Sequence, residues 1–175
     1  RVMESFPPEA CAKLESLLDI IEEVIASEQK IVIFCYHVFT IEYLDWALRK
    51  HGYNPALIYG AIDNEVREAN VHAFQTIPDC NIILGNYQTM GTGINLTASS
   101  TIVEYELPWT AADEEHAQDR CHRIGQFNPV NIIRLVTRGT YDVVNEEIVD
   151  GKYELSEAIT ESGRKREQAI VNKIL

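Results

Sequence analysis

The chain has 175 residues, 46% of them hydrophobic and 24% charged, and its formal net charge at pH 7 is −12. These values are ordinary for a globular protein and predict one domain, or one domain with an appendage. The acidic charge argues against a domain that binds nucleic acid through its overall charge alone. Any DNA contact must therefore be made by a local patch or be shared with another domain.

The chain begins with a predicted helix that is followed by a predicted strand. In residues 8–27 apolar side chains recur at helical spacing, which is the pattern of an amphipathic helix. They are Leu14, Leu17, Leu18, Ile21 and Ile25. The run KIVIFCY, residues 30–36, is continuously apolar and rich in β-formers, as is typical of a strand buried on both faces of a parallel sheet.

The same alternation continues along the rest of the chain. Strands are predicted over residues 55–60, 80–86, 101–107 and 130–137. Helices are predicted over residues 40–52, 64–76 and 110–123, and again from residue 140, with Gly52 ending the first of them and Thr110 as N-cap of the third. Residues 87–99 are predicted to form a loop that contains glycines. Alternation with short connections predicts an α/β protein with a mainly parallel, doubly wound sheet, which binds ligands at the carboxyl ends of its strands.

Sequence features also predict where the protein resides. No apolar run approaches the ~20 residues that span a bilayer, and the N-terminal RVMESFPPEA has no signal-peptide layout. We therefore expect a soluble, intracellular protein of the cytoplasm, nucleoid or nucleus, with no membrane partner. The four scattered cysteines form no CxxC pair and are expected to be free thiols. His116, Cys121 and His122 match no standard ligand spacing, so no metal site is expected.

The stretch QDRCHRIGQ, residues 118–126, places Arg120 and Arg123 three residues apart on one predicted helix. Guanidinium groups are planar, permanently charged and rigid, so two of them on one helix face favour a phosphate site. A surface ion pair with Asp119 or Glu115 is the alternative, because exposed ion pairs are common on acidic helices. The pattern alone leaves both interpretations open.

A second candidate site is the segment MGTGINLT, residues 90–97. Its glycines lie two residues apart and allow either close approach of the backbone to a ligand or a tight turn. A GxG without a third glycine is not the dinucleotide fingerprint. The chain has no GxxxxGK[ST] and no acidic pair after a strand that would bind magnesium. We therefore expect that the chain cannot cradle a nucleoside triphosphate by itself.

Four segments, in this order and at these spacings, resemble the second RecA-like lobe of the Swi/Snf-type ATPases of helicase superfamily two. They are KIVIFCYHVFTIEYL, GTGINLT, DRCHRIGQ and IRLVTRGTYD. The resemblance implies a RecA-like, P-loop NTPase-type fold with a doubly wound, mainly parallel sheet flanked by helices. It divides the chain into an N-terminal helix and lead-in (1–29), a RecA-like helicase C-terminal lobe (30–150) and a C-terminal helical extension (151–175).

In that family ATP lies between two RecA-like lobes, and the first lobe carries the Walker lysine and the acidic magnesium site. The resemblance implies that Arg120 and Arg123 are catalytic and face the triphosphate, with Arg123 as the arginine finger. It implies that Gly91, Gly93 and Gln126 bind the nucleotide, or that Gln126 pins the turn after the helix. ATP and Mg²⁺ are then cofactors of the full-length enzyme, with Mg²⁺ held by the missing first lobe and no cofactor in this fragment alone.

The resemblance also implies a path for DNA. Its residues are Tyr36, His37, Thr40, Gly60, Arg67, Thr89 and Asn95. The implied partners are duplex DNA, contacted through its backbone, and the first RecA-like lobe of the same polypeptide. The chain departs from the family at His116, where Gln is usual, at Tyr36 and His37, where a Gln-Phe-like pair is usual, and in YQTMGTGINL, which lacks a basic residue. A buried, hydrogen-bonded role is the alternative for both histidines.

Two functions follow from these interpretations. The first is a second motor lobe of a DNA-dependent ATPase and translocase, inactive as an ATPase without the first lobe. The alternative is a non-catalytic α/β binding or scaffold domain that has kept the fold. The arginine pair together with the glycines favours the first.

Overall fold

The structure is a computed structural model and describes residues 11–91 and 93–151. Its strands are β1 (Ile31–Cys35), β2 (Ala56–Ile58), β3 (Ile82–Asn86), β4 (Thr101–Glu104) and β5 (Asn131–Arg134). Its helices are α1 (Ala12–Ala26), α2 (Val38–Lys50), α3 (Asn64–Thr76), α4 (Tyr87–Met90) and α5 (Ala111–Gln118), followed by α6 over residues 141–151. Within these ranges no helix has the length and hydropathy that a bilayer span requires.

The five strands form a parallel sheet in the order β2-β3-β1-β4-β5. In the register of the central strands, Ile33 of β1 lies beside Leu84 of β3 and Val103 of β4. All residues of β1 and β3 are buried, because helices cover both faces of the sheet. The predicted α/β, doubly wound and mainly parallel architecture is confirmed.

Alternate residues of β1 enter two separate hydrophobic cores, because successive side chains of a strand point to opposite faces. Ile31 and Ile33 pack into a core with α1 and α2, to which Leu17 and Leu44 belong. Val32 and Phe34 pack into a second core. That core is completed by side chains from α3 to α5 and from the turn after α5; they include Phe74, Met90, Ala117 and Cys121.

Lys30, just before β1, fixes the carboxyl end of α3. Its Nζ donates hydrogen bonds to the carbonyl oxygens of Phe74 (2.6 Å), Ile77 (2.6 Å) and Cys80 (3.0 Å). Phe74 and Ile77 belong to the end of α3 and Cys80 to the turn beyond it, and a cation at this end complements the helix dipole. Burial lowers the pKa of Lys30, although the nearby Cys80 opposes the shift.

Several predicted boundaries differ from the observed ones. Residues 87–90 belong to the predicted loop but form α4. Strand β4 ends at Glu104 and β5 at Arg134, each three residues early, while the amide of Tyr105 still bonds to the carbonyl of Phe34 (2.9 Å). Residues 1–10 and 152–175 lie outside the described residues, so the predicted C-terminal extension stays a prediction.

Candidate functional site

Three chain segments meet at the carboxyl edge of the sheet, where its middle strands end. Residues 36–40 follow β1, residues 87–91 follow β3 and residues 105–110 follow β4. Because the strands are parallel and adjacent, the segments emerge side by side where the chain switches from one side of β1 to the other. Ligands of open α/β sheets bind at such a point.

Helix α5 ends at Gln118, so the prediction that both arginines lie on one face of a helix reaching residue 123 is wrong. The amides of Arg120 and Cys121 bond to the carbonyls three residues earlier, both at 3.1 Å, which tightens the chain into turns. Cys121 is fully buried in the second core. The carbonyl of Arg120, which a continued helix would use, accepts instead from the amide of Leu96 at 2.9 Å.

The arginine turn, residues 119–126, is bound to the glycine loop, residues 93–99. The main-chain amide of Leu96 donates to the carbonyl oxygen of Arg120 at 2.9 Å. Gln126 Nε2 donates to the carbonyl oxygens of Ser99 (2.6 Å) and Thr97 (3.3 Å). Its Oε1 accepts from the amide of Asn128 at 3.0 Å. The side chain of Gln126 thus pins the turn to the loop, which is one of its two expected roles.

The guanidinium groups of Arg120 and Arg123 have carbonyl partners rather than carboxylates. Arg120 Nε donates to the carbonyl oxygen of His116 at 3.0 Å, and Arg123 Nη1 lies 3.5 Å from that of Ile94. Neither forms an ion pair with any residue that the structure describes, Asp119 and Glu115 included. Burial and then the charge of Arg123 lower the pKa of Arg120, while the charge of the nearby Asp119 opposes the shift.

The glycines differ in why they are needed. A Cβ on Gly91 would lie 2.5 Å from the carbonyl oxygen of Tyr87, so Gly91 is required by packing at the end of α4. Gly93 has φ +70° and Gly125 has φ +106°, a backbone region that favours glycine. A Cβ on Gly60 would meet no described heavy atom within 4 Å, so internal packing gives no reason for this glycine.

Four of the residues with predicted roles line one cleft of about 900 Å³ between α3 and the glycine loop. They are Arg67, Thr89, Gly93 and Asn95. The guanidinium of Arg67 donates to the side chain of Asn64 at the start of α3. Tyr36, His37, Thr40 and Gly60 do not line this cleft. The predicted DNA residues therefore fall into two places at the edge of the sheet.

Glu106, which sequence reasoning missed, organises the segment after β1. Its Oε2 accepts from the amides of Tyr36 and His37, both at 2.9 Å, and its Oε1 accepts from Thr40 Oγ1 at 2.7 Å. A carboxylate suits the positive end of α2. His37 lies 3.3 Å from the same carboxylate, and both His37 and His116 are exposed, so the buried alternative for these histidines is wrong.

An aromatic cluster adjoins this segment and was also missed. The ring of Trp109 lies 6.2 Å from that of Tyr36, edge to face, and 5.4 Å from that of Tyr141. Trp109 and Tyr141 are both exposed. A tryptophan five residues after the end of β4 was the available sequence signal.

A buried charge cluster joins α5 to the sheet. Arg134 Nη2 lies 2.6 Å from Glu114 Oε1 and its Nε lies 3.3 Å from Glu104 Oε2, and both carboxyls are fully buried. Asp150 pairs with the same guanidinium at 2.9 Å, and Gln118 Nε2 donates to Glu104 at 2.9 Å. Burial and then the neighbouring Glu114 raise the pKa of Glu104 to about 8. The Glu104 carboxyl is therefore mostly protonated at neutral pH.

Comparison with known proteins identifies the family. The model of the helicase conserved C-terminal domain matches residues 12–125, which is more than half of the chain. The chain belongs to this family. The human lymphoid-specific helicase is 35% identical to this helicase C-terminal lobe over 130 residues, which are 74% of the chain and 16% of the human protein. Protein CHROMATIN REMODELING 19 of Arabidopsis thaliana is 31% identical over 152 residues, which are 87% of the chain and 20% of that protein.

Solved structures show the same lobe. The C-terminal part of the Fun30 ATPase domain has a TM-score of 0.76 at 22% identity and covers 80% of this chain and 46% of its own. The Sulfolobus solfataricus SWI2/SNF2 ATPase core in complex with dsDNA has a TM-score of 0.68 at 27% identity and covers 86% of this chain and 32% of its own. The resemblance to the second RecA-like lobe of the Swi/Snf-type ATPases is therefore confirmed. The lobe spans less than a quarter of the length of the two curated relatives above.

Proposed function

We propose that this lobe is the second half of a DNA-dependent ATPase motor that translocates along duplex DNA. The observation that carries the proposal is the pair of guanidinium groups at Arg120 and Arg123. They lie in the turn that follows α5, each with a main-chain carbonyl partner and without a carboxylate ion-pair partner among the described residues. Such a pair is suited to a polyanion that comes from outside the lobe.

The anion that best fits this arrangement is the triphosphate of ATP. In the proposed motor, Arg123 acts as the arginine finger and neutralises charge on the transferred phosphoryl group, while Arg120 orients the same phosphates. The backbone conformation of Gly93, which favours glycine, lets the nucleotide approach the glycine loop closely. Gln126 holds the loop in place against the arginine turn. Gly91, at the end of α4 just before this loop, contributes its backbone.

A first RecA-like lobe supplies the phosphate-binding loop and the Mg²⁺ site in this proposal. The donor set around the arginine turn is cationic, which suits phosphate rather than a metal ion. Bound Mg²⁺ would neutralise part of the charge on the phosphates. The lobe alone then forms only one wall of the ATP site and does not hydrolyse ATP.

Duplex DNA is the proposed partner on the other side of the glycine loop. The similar Sulfolobus structure is an ATPase core in complex with dsDNA, which supports this choice. Arg67, Thr89 and Asn95 line the cleft beside α3, and Tyr36, His37, Thr40 and Gly60 lie at the neighbouring strand ends. Contacts of amides, hydroxyls and one arginine suit the phosphate backbone rather than base edges.

We place such a motor inside the cell, with a RecA-like lobe over residues 30–150 and an extension beyond it.

ATP hydrolysis by the intact enzyme and by this chain alone, each with and without duplex DNA, tests the proposal. We expect the intact enzyme to hydrolyse ATP faster with DNA and the chain alone to show no turnover. DNA-stimulated turnover by the chain alone would contradict the shared site. No turnover by the intact enzyme under any condition would favour the scaffold alternative.

A further inference from the structure

The side chain of Gln75 bridges the last turn of α3 and the glycine loop. Its Nε2 donates to the carbonyl oxygen of Asn95 at 2.6 Å, and its Oε1 accepts from the amide of Ala98 at 2.9 Å. Both ends of one amide are used, on main-chain atoms three residues apart. The reverse orientation would set donor against donor and acceptor against acceptor, so the amide has one favourable placement.

The last turn of α3, which carries Gln75, is held firmly in place. Phe74, the preceding residue, is fully buried in the second core, and its carbonyl accepts from Lys30 Nζ at 2.6 Å. The glycine loop itself contains neither helix nor strand, so its main-chain groups need partners from elsewhere. Gln75 supplies two of them from a rigid helix end.

The two attachments of Gln75 enclose the residue that joins the loop to the arginine turn. Asn95 and Ala98 flank Leu96, whose amide bonds to the carbonyl of Arg120 at 2.9 Å. Gln75 and Asn95 also line the cleft beside α3, together with Arg67. A chain of direct hydrogen bonds therefore runs from the helix that borders the cleft, through the loop, to the arginine turn.

We propose that Gln75 is a positioning residue that couples occupation of the cleft to the placement of the two arginines. The inference rests on the proposed function, in which the cleft takes a DNA strand and the arginines face ATP. Gln75 fixes the main chain of the loop at two points. A displacement of the loop by DNA therefore moves Arg120 as well, instead of being absorbed by motion within the loop. Gln75 lines the cleft, and the role proposed for it is to hold the loop rather than to contact ATP.

Kinetics of the intact enzyme test this coupling with a matched pair of variants. Gln75→Met removes both hydrogen bonds at similar volume, and we expect the DNA-stimulated kcat to fall about tenfold while KM for ATP stays within about twofold. Thr76→Val is the control, because the Thr76 hydroxyl donates within α3, to the carbonyl of His72 at 2.7 Å. The control should keep the wild-type rate.

Gln75→Glu provides a readout that a purely structural role would not produce. An ionised Glu still accepts from the Ala98 amide but repels the Asn95 carbonyl, whereas a protonated Glu restores both hydrogen bonds. The repulsion raises the pKa of the introduced carboxyl. We therefore expect the ratio of variant to wild-type DNA-stimulated kcat to rise as the pH is lowered from 8 to 6. A flat ratio, or Gln75→Met at the wild-type rate, would overturn the inference.

Hydrogen exchange of this chain provides a test that does not depend on ATPase activity. Gln75→Met should speed exchange of the Ala98 amide about tenfold, because its acceptor is lost, and Thr76→Val should not. If the intact enzyme lacks DNA-stimulated hydrolysis, the proposed function fails, and exchange at Ala98 still decides whether Gln75 positions the loop. Unchanged exchange in a folded variant would overturn that role.

Discussion

The main-chain amide of Leu96 donates a hydrogen bond to the main-chain carbonyl oxygen of Arg120 at 2.9 Å. This bond joins the glycine loop to the arginine turn through backbone atoms, so no single side-chain truncation deletes it. Together with Gln126 it makes the loop and the turn one unit. Whatever displaces the loop must also displace the arginines or break these bonds.

Gly91→Ala should destabilise the lobe, whereas Gly60→Ala should not. The new Cβ at residue 91 would lie 2.5 Å from the Tyr87 carbonyl oxygen, and relief of that clash costs about 1–3 kcal/mol. At residue 60 the new Cβ meets no described heavy atom within 4 Å, so we expect a change within about 0.5 kcal/mol. Urea unfolding of the chain measures both. Equal stability of Gly91→Ala and wild type would show that α4 is not packed as described.

The stability of the lobe should fall as the pH rises from about 4.5 to about 8, because of Glu104. Its pKa in the folded state is about 8 against an ordinary value of 4.5, so the folded protein keeps a proton that the unfolded chain releases. Unfolding then becomes easier with pH, with a slope of at most about 1.4 kcal/mol per pH unit for one proton.

Glu104→Gln should flatten this pH dependence. The amide keeps the shape of the side chain and adds no charge beside Glu114 and Arg134. Glu115→Gln, at an exposed position of α5, is the control and should keep the wild-type slope. Urea midpoints measured at several pH values test the prediction. Identical slopes for wild type and Glu104→Gln would mean that Glu104 does not hold the extra proton.

Most of the fold could be predicted because it is encoded in local patterns. Helix α3 runs over the predicted residues 64–76, and Gly52 has φ +86° just past the end of α2, as its position predicted. Thr110 accepts from the amide of Asp113 at 3.1 Å, which confirms the predicted N-cap of α5. The end of α5 could not be predicted, since the bond from the Leu96 amide to the Arg120 carbonyl comes from tertiary structure.

The candidate site, like the fold, was only partly predictable from the sequence. The arginine pair and the glycines were visible as short motifs, and the structure brings them together. Gln75 and Glu106 left no such signal, because they bond to main chain far away in sequence. Glu104 was visible as an acidic residue in an apolar strand, but its partner Arg134 lies on another strand.

The chain alone should bind duplex DNA weakly and without sequence preference. Its net charge of −12 repels a polyanion, but salt screens this repulsion beyond ~8 Å, so local contacts still act. Few phosphates are neutralised, and the dependence of affinity on salt should be shallow. Fluorescence anisotropy with unrelated duplexes at several salt concentrations measures this. Tight, sequence-selective binding would instead indicate a dedicated DNA-reading module.

Arg67→Ala should weaken that binding equally for all sequences. Loss of one phosphate contact should reduce the salt slope by about 1. Arg49→Ala is the control, because Arg49 pairs with Asp45 on α2 at 2.7 Å, away from the cleft. An effect of Arg67→Ala on some sequences and not others would contradict backbone recognition.

The most direct test of the motor-lobe account is the turnover number of the intact enzyme with Arg123 replaced. We expect Arg123→Ala to lower kcat by about 10³-fold or more with nearly normal DNA binding, as for an arginine finger. Arg123→Lys should restore little of the rate, because a point charge does not reproduce the planar fork, and Arg49→Ala should keep it. A kcat for Arg123→Ala close to wild type would contradict the claim that this turn faces the triphosphate, and substantial rescue by lysine would contradict the bidentate role.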